Sequence, residues 1–127
     1  MENITKSPGG PPLARVRTAA GGTVVRWCGD RAAGPGEYHV EWDVDEDLAW
    51  GRNAGPAPDP GPLVRSDGSR VVLRGRLWLD EDGVAVLSLP GTNILLDVAG
   101  RLPDGVAGTW IELAVERARA SLHPYWL

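Results

Sequence analysis

The sequence predicts a mostly-β fold, a small barrel or curled antiparallel sheet, from three observations. Seventeen Gly and eleven Pro among 127 residues imply frequent turns, and turns at that density favour short strands over long helices. Residues 37–44, "EYHVEWDV", alternate with period two: Tyr38, Val40, Trp42 and Val44 fall on one side, Glu37, His39, Glu41 and Asp43 on the other. That is the pattern of a half-buried strand. Residues 70–98 carry three apolar runs separated by the turn sequences "DEDG" and "PGTN", which read as a three-stranded meander.

The remaining elements follow in order. Residues 1–12, "MENITKSPGGPP", have almost no apolar pattern and read as a flexible tail outside the core, leaving 13–127 as one β-rich domain. A chain of this length can bury a core without disulfides. "LARVRT" (13–18) and "TVVRWCG" (23–29) suit a hairpin, and "DRAAGPGE" is a loop. Asp45, Glu46 and Asp47 form the turn after the alternating strand, and "LAWG" starts a return strand or a short bulged segment. "RNAGPAPDPGPL", with four prolines in twelve residues, cannot pair as a central strand and reads as a long surface loop. In "RVVLRGRLWLD", Val71, Leu73, Leu77 and Leu79 point one way, Arg70, Arg74, Arg76 and Trp78 the other. Gly75 falls mid-strand on the apolar side, where a bulge or sharp coil is expected.

The C-terminus supports two readings. Residues 110–122 can be a helix, because Thr109 and Glu112 have capping-box spacing and Ile111, Ala114, Val115, Ala118 and Leu122 form one helical stripe; the fold would then be α+β. They can also be two strands, with Ile111, Leu113 and Val115 alternating against Trp110, Glu112, Ala114 and Glu116, and the preceding meander favours this. With strands, the meander and the two C-terminal strands make five, which resembles in outline a small OB-like barrel. "HPYWL" is apolar enough for Tyr125, Trp126 and Leu127 to dock on the sheet.

Composition narrows the function classes. A net charge of −4 argues against non-specific nucleic-acid binding over the whole surface. The single cysteine, Cys28, forms no internal disulfide, no secretory leader pattern is present, and no apolar run approaches the ~20 residues of a membrane span. A soluble cytoplasmic protein is the expectation. Six Trp, two Tyr and no Phe place some indoles at the edge of the core, since the indole N–H needs a partner.

The acidic stretch 37–51 raises the question of a metal. Asp43, Asp45 and Asp47 alternate as in an EF-hand loop, but its sixth and twelfth positions hold Leu48 and Ala54 instead of Gly and Glu. No metal and no cofactor is expected. Glu37, Glu41 and Asp43 form an acidic stripe and Arg70, Arg74 and Arg76 a basic one; on neighbouring strands the two would pair across the sheet and fix its register. Apart, each is free to face a partner. Arg74, Arg76 and Trp78 would suit single-stranded nucleic acid, guanidinium to phosphate and indole to base. For catalysis, Cys28 and His39 could meet if their strands are adjacent, although Cys28 reads more simply as a small buried residue and His123 as a chain-end one. No phosphate loop, nucleophile elbow or paired-histidine zinc motif occurs. The expected function is therefore non-catalytic binding, with another protein as partner through Arg74, Arg76, Trp78, Glu41 and Asp43, including an acidic neutralising or immunity-type role. The alternative is an OB-like single-stranded nucleic-acid binder using the Arg/Trp face. Oligomeric state is not legible.

Overall fold

The computed structural model describes residues 2–6, 13–29 and 34–125. Among them the strands are β1 (Glu2–Lys6), β2 (Leu13–Thr18), β3 (Gly21–Trp27), β4 (Gly36–Val44), β5 (Ala54–Pro56), β6 (Leu63–Asp67), β7 (Arg70–Leu79), β8 (Ala85–Leu89), β9 (Thr92–Leu96), β10 (Trp110–Glu116) and β11 (Ala120–Tyr125). A 3-10 turn, Arg117–Arg119, separates the last two.

Five of these strands close a barrel. β1 pairs antiparallel with β2 and β4, β2 with β3, and β4 with β11. The ring is completed where β11 runs parallel to β3, Ser121 beside Arg26 and Leu122 beside Trp27. Closure leaves no open edge between these neighbours. Alternation along each strand turns Ile4, Ala14, Val16, Val25, Trp27, Val40, Trp42 and Leu122 inward, all buried. Trp27 meets Tyr38 edge to face, ring centroids 5.2 Å apart, an arrangement aromatic rings favour.

The chain between β4 and β11 extends the same sheet beyond the barrel, ordered β6-β7-β10-β5 and joined to β3 where Gly21 runs parallel to Val64 of β6, with β8 and β9 continuing from β7. β7 is long because it serves two partners on one edge: residues 70–74 pair with β6, and 76–79 with β8. Gly75 sits at the handover. A Cβ there would lie 2.5 Å from the Ser88 carbonyl oxygen and 3.2 Å from the Leu87 side chain, so a side chain would push β8 off its ladder. Val71, Leu73 and Leu77 from β7, Leu87 from β8, Ile94 from β9 and Ile111 and Leu113 from β10 join the barrel residues in one continuous core.

Several sequence expectations need correcting. Glu2–Lys6 is a barrel strand between β2 and β4, not a tail; a lone Ile4 buried at 0 % gives too short an apolar signal to be read. Met1 and residues 7–12 lie outside the described residues. The meander over 70–98 is present, yet its strands are not barrel strands: the barrel uses β1 to β4 and β11. The helix reading of 110–122 fails, because Trp110–Glu116 pairs along its length with β7 and the burial of Ile111, Leu113 and Val115 has period two. Within the proline-rich loop, Ala54–Pro56 forms a short edge strand on β10, a position where Pro removes no needed ladder bond. Leu48 and Trp50 make only isolated bridges. Tyr125 lies at the exposed end of β11, 5.7 Å from the His39 ring; Trp126 and Leu127 lie outside the described residues.

Gly75→Ala is expected to destabilise the fold by about 1–3 kcal/mol, measured by urea unfolding. Burial pushes the Glu2 carboxyl above its ordinary range. A raised folded pKa means that the folded state holds this proton more tightly than the unfolded chain, so the ionised carboxylate opposes folding at neutral pH and the opposition fades as pH falls. Glu2→Gln should therefore raise the melting temperature at pH 7, and the advantage should shrink as the pH is lowered towards about 4.

Candidate functional site

The two charged stripes singled out in the sequence do not pair with each other. β7 lies beside β10, which presents Glu116 opposite Arg70, Glu112 opposite Arg74 and Trp110 opposite Arg76. Arg74 donates from both Nε (2.9 Å) and one terminal nitrogen (2.7 Å) to Glu112 Oε2, in a half-buried setting. Arg76 stacks over the Trp110 ring at 5.4 Å, a cation–π contact. Arg70 and Ser69 hydrogen-bond to Glu116 and hold its carboxyl below the usual range. Arg74 and Arg76 thus already have partners within the sheet.

Trp78 is different: it is 46 % exposed and lies over Gly108. The register puts it directly across from Val86, and Val86 across from Leu95, which is 65 % exposed. Trp78, Val86 and Leu95 are therefore one apolar row on the outer face of the meander. The next row is Arg76, Ser88 and Asn93.

Beyond β9 the face continues onto the barrel. β9 packs against β4, and a cleft of about 450 Å³ between them is lined by Glu41, Trp42, Asp43, Asn93, Leu95 and His123. It shares Asp43, Leu95 and His123 with a second hollow of about 530 Å³ that reaches Arg26, Asp45, Asp97, Arg119 and Ser121. The ladder between β4 and β11 sets Glu41 beside His123 and Asp43 beside Ser121. The structure thus brings Trp78 and Arg76 onto one surface with Glu41 and Asp43, four residues the sequence assigned to two unrelated strands. Glu37 lies apart from this cleft, opposite Asn3 on β1.

The acids of the opening stretch divide by role. Glu46 is structural: its carboxylate accepts from Asn53 Nδ2 at 2.9 Å and from the Glu116 amide at 3.1 Å, while the buried Asn53 also binds the Ala49 amide and the Asp47 carbonyl. Asp45 faces Arg119 at 3.8 Å and Asp43 faces His123 at 3.9 Å, both loose and solvent-screened. Glu41 and Asp97 make no ion pair among the described residues. Among the described residues the cleft's guanidinium groups are those of Arg26 and Arg119, against the carboxylates of Glu41, Asp43, Asp45 and Asp97, so the acids leave the cleft negative overall at neutral pH.

The cleft also gathers Ser121, His123, Asp43 and Cys28. Ser121 Oγ lies 3.1 Å from His123 Nε2, and Asp43 Oδ2 approaches that same nitrogen. In a Ser-His-Asp triad the carboxylate holds the opposite ring nitrogen, so this convergence lacks the geometry of an activated serine. Cys28 shares this hollow with His123, whereas His39 packs beside Tyr125; the Cys28–His39 pairing considered from the sequence is not formed. Cys28 is exposed instead of buried, because alternation after Trp27 turns it outward. Among the described residues no group of three or more His, Cys, Asp or Glu is placed to hold a metal ion, and no helix is long and apolar enough to cross a membrane.

Sequence reasoning missed Leu95, Val86 and Asp97. A signal for Leu95 was available: in "ILL" (94–96) consecutive apolar residues on a strand cannot all face the core, and Ile94 and Leu96 are the buried pair. The exposure of Cys28 gives a direct check: the native protein should react with a thiol-specific reagent at one site, at a rate close to that of the unfolded chain. No protein-family model, no curated protein and no solved structure matches the chain.

Proposed function

We propose that this is a non-catalytic binding domain whose partner is another protein, and that it receives a basic segment carrying apolar side chains across the face formed by β7, β8, β9, β4 and β11. One observation carries the reading: the row of exposed Trp78, half-buried Val86 and exposed Leu95 leads directly into a cleft where, among the described residues, Glu41, Asp43, Asp45 and Asp97 outnumber the arginines. An apolar anchor beside like-signed charge is a common composition for an interface, with Trp supplying much of the energy and the carboxylates steering and selecting a basic partner. An acidic neutralising role, in which this face covers a basic surface, fits the same features.

The OB-like connectivity of the barrel supports binding rather than turnover only by analogy. A single-stranded nucleic-acid reading through Arg74, Arg76 and Trp78 draws less support, because Arg74 is held by Glu112 and Arg76 by Trp110, which leaves Trp78 beside few free cations.

Selection of a random peptide library on the intact protein tests the proposal. Enriched peptides should combine Lys or Arg with aromatic or aliphatic residues, and their binding should weaken with salt. Trp78→Ala and the pair Glu41→Lys, Asp43→Lys should each weaken binding at least tenfold while circular dichroism stays unchanged. Enrichment of peptides without a basic bias, or binding indifferent to all of these substitutions, would overturn it.

A further inference from the structure

On another part of the barrel wall, the outer face of β1, β2 and β3 forms a hollow of about 430 Å³ lined by Asn3, Thr5, Arg15, Arg17, Val24 and Ser66, among others, and, among the described residues, by no carboxylate. The register explains it. Arg17 stands opposite Asn3 on β1 and Gly22 on β3, and Arg15 opposite Thr5 and Val24. Gly22 contributes no side chain across from Arg17, so the floor stays open there. Neither Arg15 nor Arg17 forms an ion pair among the described residues, unlike Arg70, Arg74 and Arg119. Arg117 does not line the hollow but is bonded to the backbone of one of its strands, donating from Nε to the Val24 carbonyl and from a terminal nitrogen to the Gly68 carbonyl, both at 3.0 Å. The closest acid by register is Glu37, opposite Asn3 on the side away from the arginines.

We infer that this hollow is a binding site for a phosphate-bearing ligand, held by Arg15 and Arg17 with Asn3, Thr5 and Ser66 as neutral hydrogen-bonding partners. Two arginines on one strand face stand about 7 Å apart, close enough for both guanidinium forks to reach one phosphate or two neighbouring ones. Arginine matches phosphate bidentately. Hydroxyl and amide groups around such a pair supply further hydrogen bonds without adding charge. Among the described residues no aromatic ring lines the hollow, so recognition rests on the phosphate and not on stacking a base. Its volume lies in the range of small-molecule sites. The assignment is independent of the protein-binding face and uses none of its cleft residues.

The phosphate can come from a free nucleotide or from a nucleic-acid strand, and titration of the full chain by calorimetry at low salt separates them. The probes are inorganic pyrophosphate, ATP and a short oligothymidylate. Saturable binding of at least one probe is expected, weakening as salt rises. The double change Arg15→Gln, Arg17→Gln should weaken it roughly ten- to a hundredfold, and Arg52→Gln, an exposed arginine elsewhere, should leave it unchanged. Binding of ATP and pyrophosphate would assign a small phosphorylated ligand; binding of the oligonucleotide alone would assign a strand. Arg15 and Arg17 are exposed, so the melting temperature of the double variant should match that of the parent. Absence of saturable binding for all three probes would overturn the inference, as would equal losses in the double variant and in Arg52→Gln.

Discussion

Everything in this molecule depends on where the last strand goes. Ala120–Tyr125 enters between β3 and β4, parallel to the first and antiparallel to the second, and without it the run β4-β1-β2-β3 would not close into a barrel. Its inward residues Ala120 and Leu122 are completely buried, and the Cys28 amide donates to the Leu122 carbonyl at 2.9 Å, extending the parallel closure by one residue. Parallel pairing needs a long connection rather than a hairpin. Here that connection runs through β4 and all the strands from β5 to β10. Barrel closure therefore waits on pairs far apart in sequence, β11 with β3 and β4, although hairpins such as β2-β3 and β8-β9 are local, and such closure is slow to assemble.

The same constraint shapes the surface. Because β11 must return to β4, the excursion that begins after Val44 has to end at Glu116, near the turn holding Asp45–Asp47. The Glu46 carboxylate accepting from the Glu116 amide, and Arg119 donating to the Asp45 carbonyl at 3.2 Å, fasten the two ends together. The excursion then folds back so that β9 lies along β4, with the Leu48 amide bonded to the Asp97 carbonyl and the Ala99 amide to that of Leu48. These bonds place the apolar row of the meander beside the acids of β4. The handover at Gly75 is equally necessary, since β7 must leave β6 before it can carry β8 and β9 towards the barrel.

Period-two alternation was the legible part of the chain. It located Val40, Trp42 and Val44 in the core, Val71, Leu73 and Leu77 likewise, and the three strands between 70 and 98, because a strand with one wet face writes its orientation into every second residue. Leu79, assigned to the apolar face, is 42 % exposed, since it lies where β7 runs out past the core. Val72, assigned to neither face, is buried because β10 and β6 flank it, Ala114 on one side and Arg65 on the other. What alternation cannot carry is partnership. Glu112 and Glu116 match Arg74 and Arg70 as well as Glu41 and Asp43 would have, and only the long-range topology chooses between them. Of the candidate site, the sequence named Arg74, Arg76, Trp78, Glu41 and Asp43 but not the arrangement: Arg74 is held by Glu112, and the meeting of Arg76 and Trp78 with Glu41 and Asp43 through Val86 and Leu95 required β9 to be placed next to β4.

The outer face of β3 joins two surfaces of opposite sign. Val24 and Gly22 floor the arginine hollow, whereas Arg26, two residues further on the same side, lines the acidic cleft. With a net charge of −4, the field far from the protein is negative, and an anionic ligand is repelled at long range. At physiological ionic strength that far field is screened beyond about 8 Å, a distance comparable to the spacing of the two arginines. Within it, Arg15 and Arg17, with no lining carboxylate among the described residues, dominate locally. Under the two proposals, a basic protein segment would be drawn in by the whole molecule and a phosphate only by its immediate surroundings. Raising salt should therefore slow encounter with the basic segment from a distance, while phosphate binding loses only its short-range attraction. The two ligands would occupy separate walls of one barrel, and the rigid closure by β11 keeps those walls apart.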